Sequence, residues 1–214
     1  MFAVEVVLVL LIGYLLGSIN TSLIVGKFKG IDIREHGSGN AGLTNTYRVM
    51  GVFASLLVII GDILKAVLAA NIGEYILGAA TTIPRIGILV SGLGVILGHN
   101  FPIYFKFRGG KGVLVSGTII FLMSFKLGLV LLFTFMAIAV VGRCISLASL
   151  GCAFVLPVTV FVLEESRDNT YFCLWSIVVS VLIFIMHRKN IRRLREGTEP
   201  LFTFSRRQRR RRRI

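Results

Sequence analysis

Apolar residues in this chain come in long blocks broken by short polar stretches, without the one-sided spacing of a surface helix. Seven such blocks stand out, at 4–25, 52–70, 86–104, 113–125, 127–141, 147–163 and 171–186. Crossing about 30 Å of hydrocarbon takes roughly 20 helical residues, and fewer where neighbouring helices shield the segment. The pattern therefore predicts an all-α polytopic membrane protein with seven transmembrane helices, some of them short. The fourth and fifth blocks are separated only around Lys126. The first lacks the basic leading segment and small-residue cleavage site of a signal peptide and is followed by further spans, so it reads as a retained first helix. Residues 1–199 read as a single integral-membrane domain, and 200–214 as a basic tail.

Composition agrees with this reading. A mean hydropathy of +0.84 over 214 residues is too apolar for a soluble domain. The formal charge of +14 would suggest nucleic acid in a soluble protein, but here it sits in the tail RRQRRRRRI and in the loops between blocks. Membrane topology accounts for it, and no nucleic-acid partner is expected. One side would hold Lys27, Lys29, Arg34 and Arg48, then Lys106, Arg108 and Lys111, then Arg143, then everything from Arg188 onward. The other would hold Arg85, Lys126 and Arg167 beside Glu74, Glu164, Glu165 and Asp168. Lysine and arginine resist translocation, so the expected topology has the N-terminus outside and the C-terminus cytoplasmic. Cys144, Cys152 and Cys173 show no metal or disulfide spacing and read as packing residues.

Every glycine-rich polar stretch then falls on the cytoplasmic side, or within a turn of it. The first is HGSGNAGLTNTYR, in which Gly37, Gly39 and Gly42 let backbone amides turn inward and a ligand approach closely. Ser38, Asn40, Thr44 and Asn45 stand among them, with Arg48 one turn on. Neutral donors with one guanidinium suit a phosphate, although a tight connecting loop wants the same residues.

The second stretch, GHNFPIYFKFRGGKGV, carries His99 and then Gly109, Gly110, Lys111 and Gly112. It is not a Walker A loop, because Phe105 and Gly112 occupy the positions that need a glycine and a Ser or Thr. A lysine among glycines still suits an anion. Ser146 and Ser149 follow Arg143 at a helix start, where capping is their simplest role. In HRKNIRRLREGTE, His187 and Asn190 are spaced i, i+3 and share one helix face. Asp62 and Lys65 share that spacing inside the second block and read as an intramembrane ion pair.

Taken in order, GSGNAGLTNTYR, GHNFPIYFKFRGGKGV and HRKNIRRLREGTE resemble the three signature motifs of the bacterial acyl-phosphate:glycerol-3-phosphate acyltransferases, the PlsY family. The resemblance runs from about Gly17 to Glu199 and takes in GSI at 17–19, DILK at 62–65 and SLAS at 146–149. The departures are Asn20 where many members have proline, Cys144 where tyrosine is commoner, and the arginine-rich tail.

The resemblance implies a seven-helix enzyme of the bacterial cytoplasmic membrane with its active site on the cytoplasmic face. It would move a fatty acyl group from acyl phosphate to the 1-hydroxyl of glycerol 3-phosphate, giving lysophosphatidic acid in the first acylation step of phospholipid synthesis. By motif position, Ser38, Arg48, Lys111, His187 and Asn190 would be catalytic. Gly37, Gly39, Asn40, Thr44, Asn45, His99, Gly109, Gly110 and Ser146 would bind substrate. No metal or cofactor is called for, and anionic membrane lipids are the partners expected of the tail. Acyl-chain preference and oligomeric state are not encoded in these motifs.

The residues also bear on mechanism. Acyltransferases that use a histidine with an aspartate five positions on are excluded, since those positions hold Ala41, Tyr104 and Arg192. No G-x-S-x-G nucleophile elbow occurs either. The expectation is direct attack by the substrate hydroxyl, with Arg48 and Lys111 holding phosphates and the leaving phosphate or His187 accepting the proton. Two other readings stay open on sequence: a transporter for a phosphorylated solute, and a lipid-binding scaffold acting through the tail.

Overall fold

The computed structural model describes residues 2–163 and 170–201. Among these the chain is all helical, without strands. The order is α1 (Phe2–Ser18), α2 (Thr21–Phe28), α3 (Leu43–Gly78), α4 (Ile86–Asn100), α5 (Val113–Met123), α6 (Phe125–Gly142), α7 (Ile145–Val162), α8 (Thr170–Met186) and α9 (Arg188–Arg195). Single 3-10 turns lie at Ile33–Glu35 and Ile103–Phe105. The basic tail from residue 202 onward, and Glu164, Glu165, Arg167 and Asp168, lie outside the described residues.

All seven apolar blocks are helical, and they differ in reach, some being short as expected. Phe2–Phe28, Leu43–Gly78, Ile86–Phe105, Phe125–Gly142 and Ile145–Val162 are long and apolar enough to cross a bilayer. Thr170–Met186 joined to Arg188–Arg195 makes a sixth such stretch, bent by 59°. α5 has 11 residues, about 16 Å of helix, and falls short of the hydrocarbon thickness. It starts late because Gly112 holds φ at +75°, and it stops early because Ser124 is extended and turns the chain straight into α6.

Two blocks are shaped by breaks that hydropathy does not register. The first is two helices separated at Ile19–Asn20. Asn20 caps α2, its Oδ1 accepting from the Leu23 amide at 3.1 Å, while its Nδ2 donates to the Ala41 carbonyl at 3.3 Å. An asparagine at this position thus starts the helix by satisfying an orphan donor. The second block belongs to a 36-residue helix that begins inside the glycine-rich loop, at Leu43, and kinks at Gly51, where φ is +85° and ψ is −172°.

Small residues hold the bundle together. A Cβ placed on Gly17 would lie 2.7 Å from Val95 Cα, and one on Gly98 would lie 2.8 Å from the Ser18 amide nitrogen. Gly13 meets the Ser91 backbone, and Gly94 meets Leu10 and Tyr14, so α1 and α4 pack backbone to backbone. Gly73 and Gly87 do the same for α3 and α4. In lipid, where apolar side chains gain little by leaving hydrocarbon, such close approach is a main source of association. Large apolar side chains point outward instead: Phe53, Leu64, Phe133 and Phe154 are each more than 60% exposed.

At the break between α1 and α2, Lys65 reaches across from α3. Its Nζ lies 2.8 Å from Asp62 Oδ1 and donates to the carbonyls of Gly17 at 3.2 Å and Ile19 at 3.0 Å. Those carbonyls lie at the helix end, where an intrahelical partner is missing and a cation is welcome. Lys65 also donates to His99 Nδ1 at 3.1 Å, and Thr21 donates to Asp62 at 3.3 Å. The ion pair expected at i, i+3 is therefore the centre of a buried polar cluster that joins α1, α2, α3 and α4.

Candidate active site

Three loops and two helix ends converge on one cavity of about 420 Å³. Ser38, Asn40, Thr44, Asn45, Arg48, His99, Lys111, Ser146, His187 and Asn190 all border it. These ten residues come from segments as much as 152 positions apart, and Glu199 lines the cavity with them. The remaining wall is mostly apolar and comes largely from α5, α6, α7 and α8, with Asp62 and Ile63 of α3 and the hydroxyls of Ser116 and Thr118 also in it.

The first loop is built by Asn45. Its Nδ2 donates to the carbonyls of Ile33 at 3.1 Å and His36 at 2.9 Å, while its Oδ1 accepts from the Ser38 amide at 2.9 Å. With the side chain occupied in this way, Asn45 holds Ser38 at the cavity wall. Gly37 and Gly39 have φ of +63° and +73°, values that favour glycine. They bend the loop around Asn45 and are not among the wall residues.

The second loop departs from the expectation that its glycines present donors to an anion. The Gly109 amide donates to the Asn100 carbonyl at 3.1 Å and the Gly110 amide to the His99 carbonyl at 3.0 Å. A Cβ on Gly110 would lie 2.9 Å from His99 Cδ2, and one on Gly109 would lie 2.6 Å from Pro102 Cδ. These glycines let the loop lie flat on the end of α4, which brings Lys111 to the cavity. Like Gly37 and Gly39, they shape the site from behind its surface.

Lys111 Nζ donates to Asn190 Oδ1 at 2.5 Å. Asn190 Nδ2 donates to Glu199 Oε1 at 2.6 Å, and Ser146 Oγ donates to the same oxygen at 2.8 Å. Arg193 Nε donates to Glu199 Oε2 at 2.6 Å. Glu199 is thus the hub of the third motif, although the sequence reading passed over it. An acid among basic residues looks like a solvated counter-ion. The signal that marks it is Gly197, at φ +67°, which ends α9 and sends the chain back toward Ser146. Glu196, by contrast, pairs with Arg192 on the exposed face at 2.8 Å.

Burial pushes the Lys111 ammonium down to about 8; Glu199 opposes that shift, and Arg193 and Arg48 add to it. Burial alone would raise Glu199, but hydrogen bonds from Arg193, Ser146 and Asn190 hold its carboxyl below the usual range. Around Lys111, its own charge and those of Arg48 and Arg193 stand against the Glu199 carboxylate, a field suited to an anion. His187, at the bend between α8 and α9, is buried. Its Nδ1 lies 2.8 Å from the Ile183 carbonyl. A carbonyl only accepts, so Nδ1 carries the proton and Nε2 keeps its lone pair.

Comparison with known proteins matches this architecture to one family. The family model described as glycerol-3-phosphate acyltransferase matches residues 7–197. The glycerol-3-phosphate acyltransferase of Geobacillus kaustophilus (strain HTA426) is 42% identical, over 90% of this chain and 94% of its own. That of Thermoanaerobacter sp. (strain X514) is 39% identical, over 90% of this chain and 93% of its own. Among solved structures, PlsY, an integral membrane glycerol 3-phosphate acyltransferase, matches in its glycerol 3-phosphate form with a TM-score of 0.83 and 33% identity, over 92% of this chain and 96% of that one. Its lysophosphatidic acid form matches with a TM-score of 0.80 and 32% identity. A helical bundle with its three polar motifs gathered at one cavity, matched along nearly its whole length in sequence and in fold, belongs to the glycerol-3-phosphate acyltransferase family.

Proposed function

We propose that this membrane glycerol-3-phosphate acyltransferase takes its acyl group from acyl phosphate and delivers it to the 1-hydroxyl of glycerol 3-phosphate, releasing lysophosphatidic acid and phosphate. The observation that carries this reading is the division of the cavity. One end holds Arg48, Lys111, Ser38, Ser146, His187 and Asn190, and the other is lined by stripes at helical spacing: Val113, Gly117 and Ile120 of α5, Gly128, Leu131 and Phe135 of α6, and Ser149, Ala153 and Leu156 of α7. From Ser146 to Leu156 the stripe on α7 runs ten residues, about 15 Å. A cationic head joined to a narrow apolar limb fits a molecule with a phosphate at one end and a hydrocarbon chain at the other.

In this reading Arg48 and Lys111 hold phosphate groups, and Asn190 and Ser146 are held in register by Glu199. His187 Nε2 accepts a hydrogen bond from the attacking hydroxyl and so orients it. The hydroxyl oxygen bonds to the acyl carbonyl carbon, the bond from that carbon to the phosphate oxygen breaks, and the departing phosphate takes the hydroxyl proton. Orientation of two bound reactants can lower the barrier by about 7–11 kcal/mol. A buried site that already carries its cations stabilises the developing oxyanion without reorganisation. The site lies on the cytoplasmic face of the bacterial inner membrane if the lysine and arginine bias sets orientation. Residues 1–199 then form one catalytic domain, with the tail attracted to anionic lipid.

The test is direct. Purified protein in lipid is given labelled glycerol 3-phosphate with either acyl phosphate or acyl-CoA, and lysophosphatidic acid is measured. Transfer from acyl phosphate without added metal or nucleotide, and little from acyl-CoA, is expected. Efficient transfer from acyl-CoA overturns the donor assignment.

A further inference from the structure

The cavity wall on α5 runs as far as Phe121, close to where α5 turns back into α6. Met123 closes α5, and Ser124 caps α6 by accepting from the Leu127 amide at 3.3 Å. Only that residue separates the two helices. Phe121, the last wall residue of α5, and Gly128, the first wall residue of α6, are brought together by this tight link.

Their contact is unusually close. A Cβ placed on Gly128 would lie 2.6 Å from Cγ and 2.7 Å from Cε1 of Phe121. The ring therefore rests on bare α6 backbone, in room that only a glycine leaves. Glycine within a helix costs about 1 kcal/mol relative to alanine, and no left-handed backbone angle at Gly128 explains its presence. The Phe121 ring also meets Phe125, with centroids 5.9 Å apart and planes tilted by 60°. Phe125 is itself 68% exposed. From Val113, beside Lys111, to Phe121 the wall of α5 advances eight residues, about 12 Å.

We propose that Phe121, seated on Gly128, is the stop that sets the length of acyl chain the enzyme prefers. The proposal rests on the acyl-transfer reading above. A donor anchored by its phosphate at Lys111 and Arg48 has its methyl end placed by the number of carbons between. Each methylene that finds apolar room improves binding by about fourfold. A chain that reaches the ring must bend or displace it, and overpacking of this kind is penalised. The ring's freedom to yield is reduced by its contacts with the Gly128 backbone and with Phe125.

The full-length protein in lipid is assayed with saturated acyl phosphates stepped by pairs of carbons, and kcat/KM is plotted against chain length. In Phe121→Ala the optimum moves to longer donors. The donor two carbons beyond the parent's optimum gains on the order of tenfold relative to that optimum. Gly128→Ala pushes the ring into the limb and moves the optimum to shorter donors. Phe121→Leu keeps an apolar side chain on the slot, gives an intermediate shift, and keeps the question answerable if the alanine variant folds poorly. Phe121→Ala or Phe121→Leu enzyme that is active with the parent's chain-length profile overturns the proposal. Failure of the parent to use any acyl phosphate would instead defeat the donor assignment on which it rests.

Discussion

Lys65 is buried and Lys111 is half-buried, and their surroundings assign them different work. Lys65 touches Asp62, two backbone carbonyls and His99, so its ammonium is surrounded by protein acceptors. Lys111 donates to Asn190 and borders the cavity, with Arg48, Arg193 and Glu199 as the charges that act on it. In the first case charge is neutralised within the fold and binds helices together. In the second, positive charge exceeds negative and faces an open space. Burial alone does not identify a functional charge; the balance of its partners does.

That comparison breaks most sharply at Lys65. Replacing it with alanine strands Asp62 in a low-dielectric interior, and breaking a buried pair from one side costs about 3–5 kcal/mol. Lys65→Ala should therefore lose most folded protein in detergent, as read by yield and thermal midpoint. Asp62→Asn combined with Lys65→Met removes both charges and should recover much of that stability. Equal instability of the single and double variants would show that the pair is not the source of the loss.

Lys111 and Arg48 should show the opposite pattern. Lys111→Ala and Arg48→Ala should keep the parent's thermal midpoint within a few degrees and lose about 10²-fold or more in kcat/KM for glycerol 3-phosphate, as losing a donor to a reacting anion does elsewhere. Wild-type kinetics in both variants would remove the anion-site reading.

His187 comes next. As an orienting acceptor it should be worth about tenfold in kcat, less than the roughly 10²–10⁴ that general acid–base catalysis supplies. His187→Ala enzyme should retain measurable transfer, and its pH profile should keep the limbs of the parent. If the parent shows a limb near the imidazole range and the variant loses both that limb and nearly all its rate, His187 is the base that takes the hydroxyl proton.

The contrast between the two lysines also marks what sequence could and could not deliver. The apolar blocks were legible because hydrocarbon thickness demands them, and the Asp62–Lys65 pair because its i, i+3 spacing places both on one face. The three polar motifs were legible as a set. What escaped was anything carried by backbone approach. The small-residue pairs Gly13 with Gly17 and Gly94 with Gly98 stand in the sequence four apart, yet hydropathy scores them only as apolar filler. The glycines at 109 and 110 invited a phosphate reading because glycine-rich loops often present amides, whereas here those amides pair with the end of α4. Glu199 escaped because its role depends on the turn at Gly197, a feature with no hydropathy signature.

The smallest expected effect tests Glu199 through Lys111. The groups facing Lys111 are Glu199, which favours its charged form, Arg193 and Arg48, which disfavour it, Cys144, and His187. Burial has already lowered the ammonium from 10.5 to about 8. With Lys111 holding an anionic substrate, as proposed, that cation is present below pH 8 and lost as pH rises through it, so kcat/KM for glycerol 3-phosphate should fall on that alkaline limb. Stability runs the other way. A lysine whose folded value lies below its unfolded one disfavours folding when charged, so the fold gains from this group as pH rises from about 8 toward 10.5. Bound phosphate favours the ammonium, so the same limb in kcat should lie at higher pH than in kcat/KM. Glu199→Gln keeps the shape of the side chain and an acceptor oxygen but removes the charge that sustains Lys111. The limb in kcat/KM should then move to lower pH, giving a few-fold loss at pH 8 and little change well below it, while Glu199→Asp restores the limb in part. An unchanged limb in Glu199→Gln, with the loss spread evenly over all pH, would mean that Glu199 only positions Ser146 and Asn190 and does not govern the charge on Lys111.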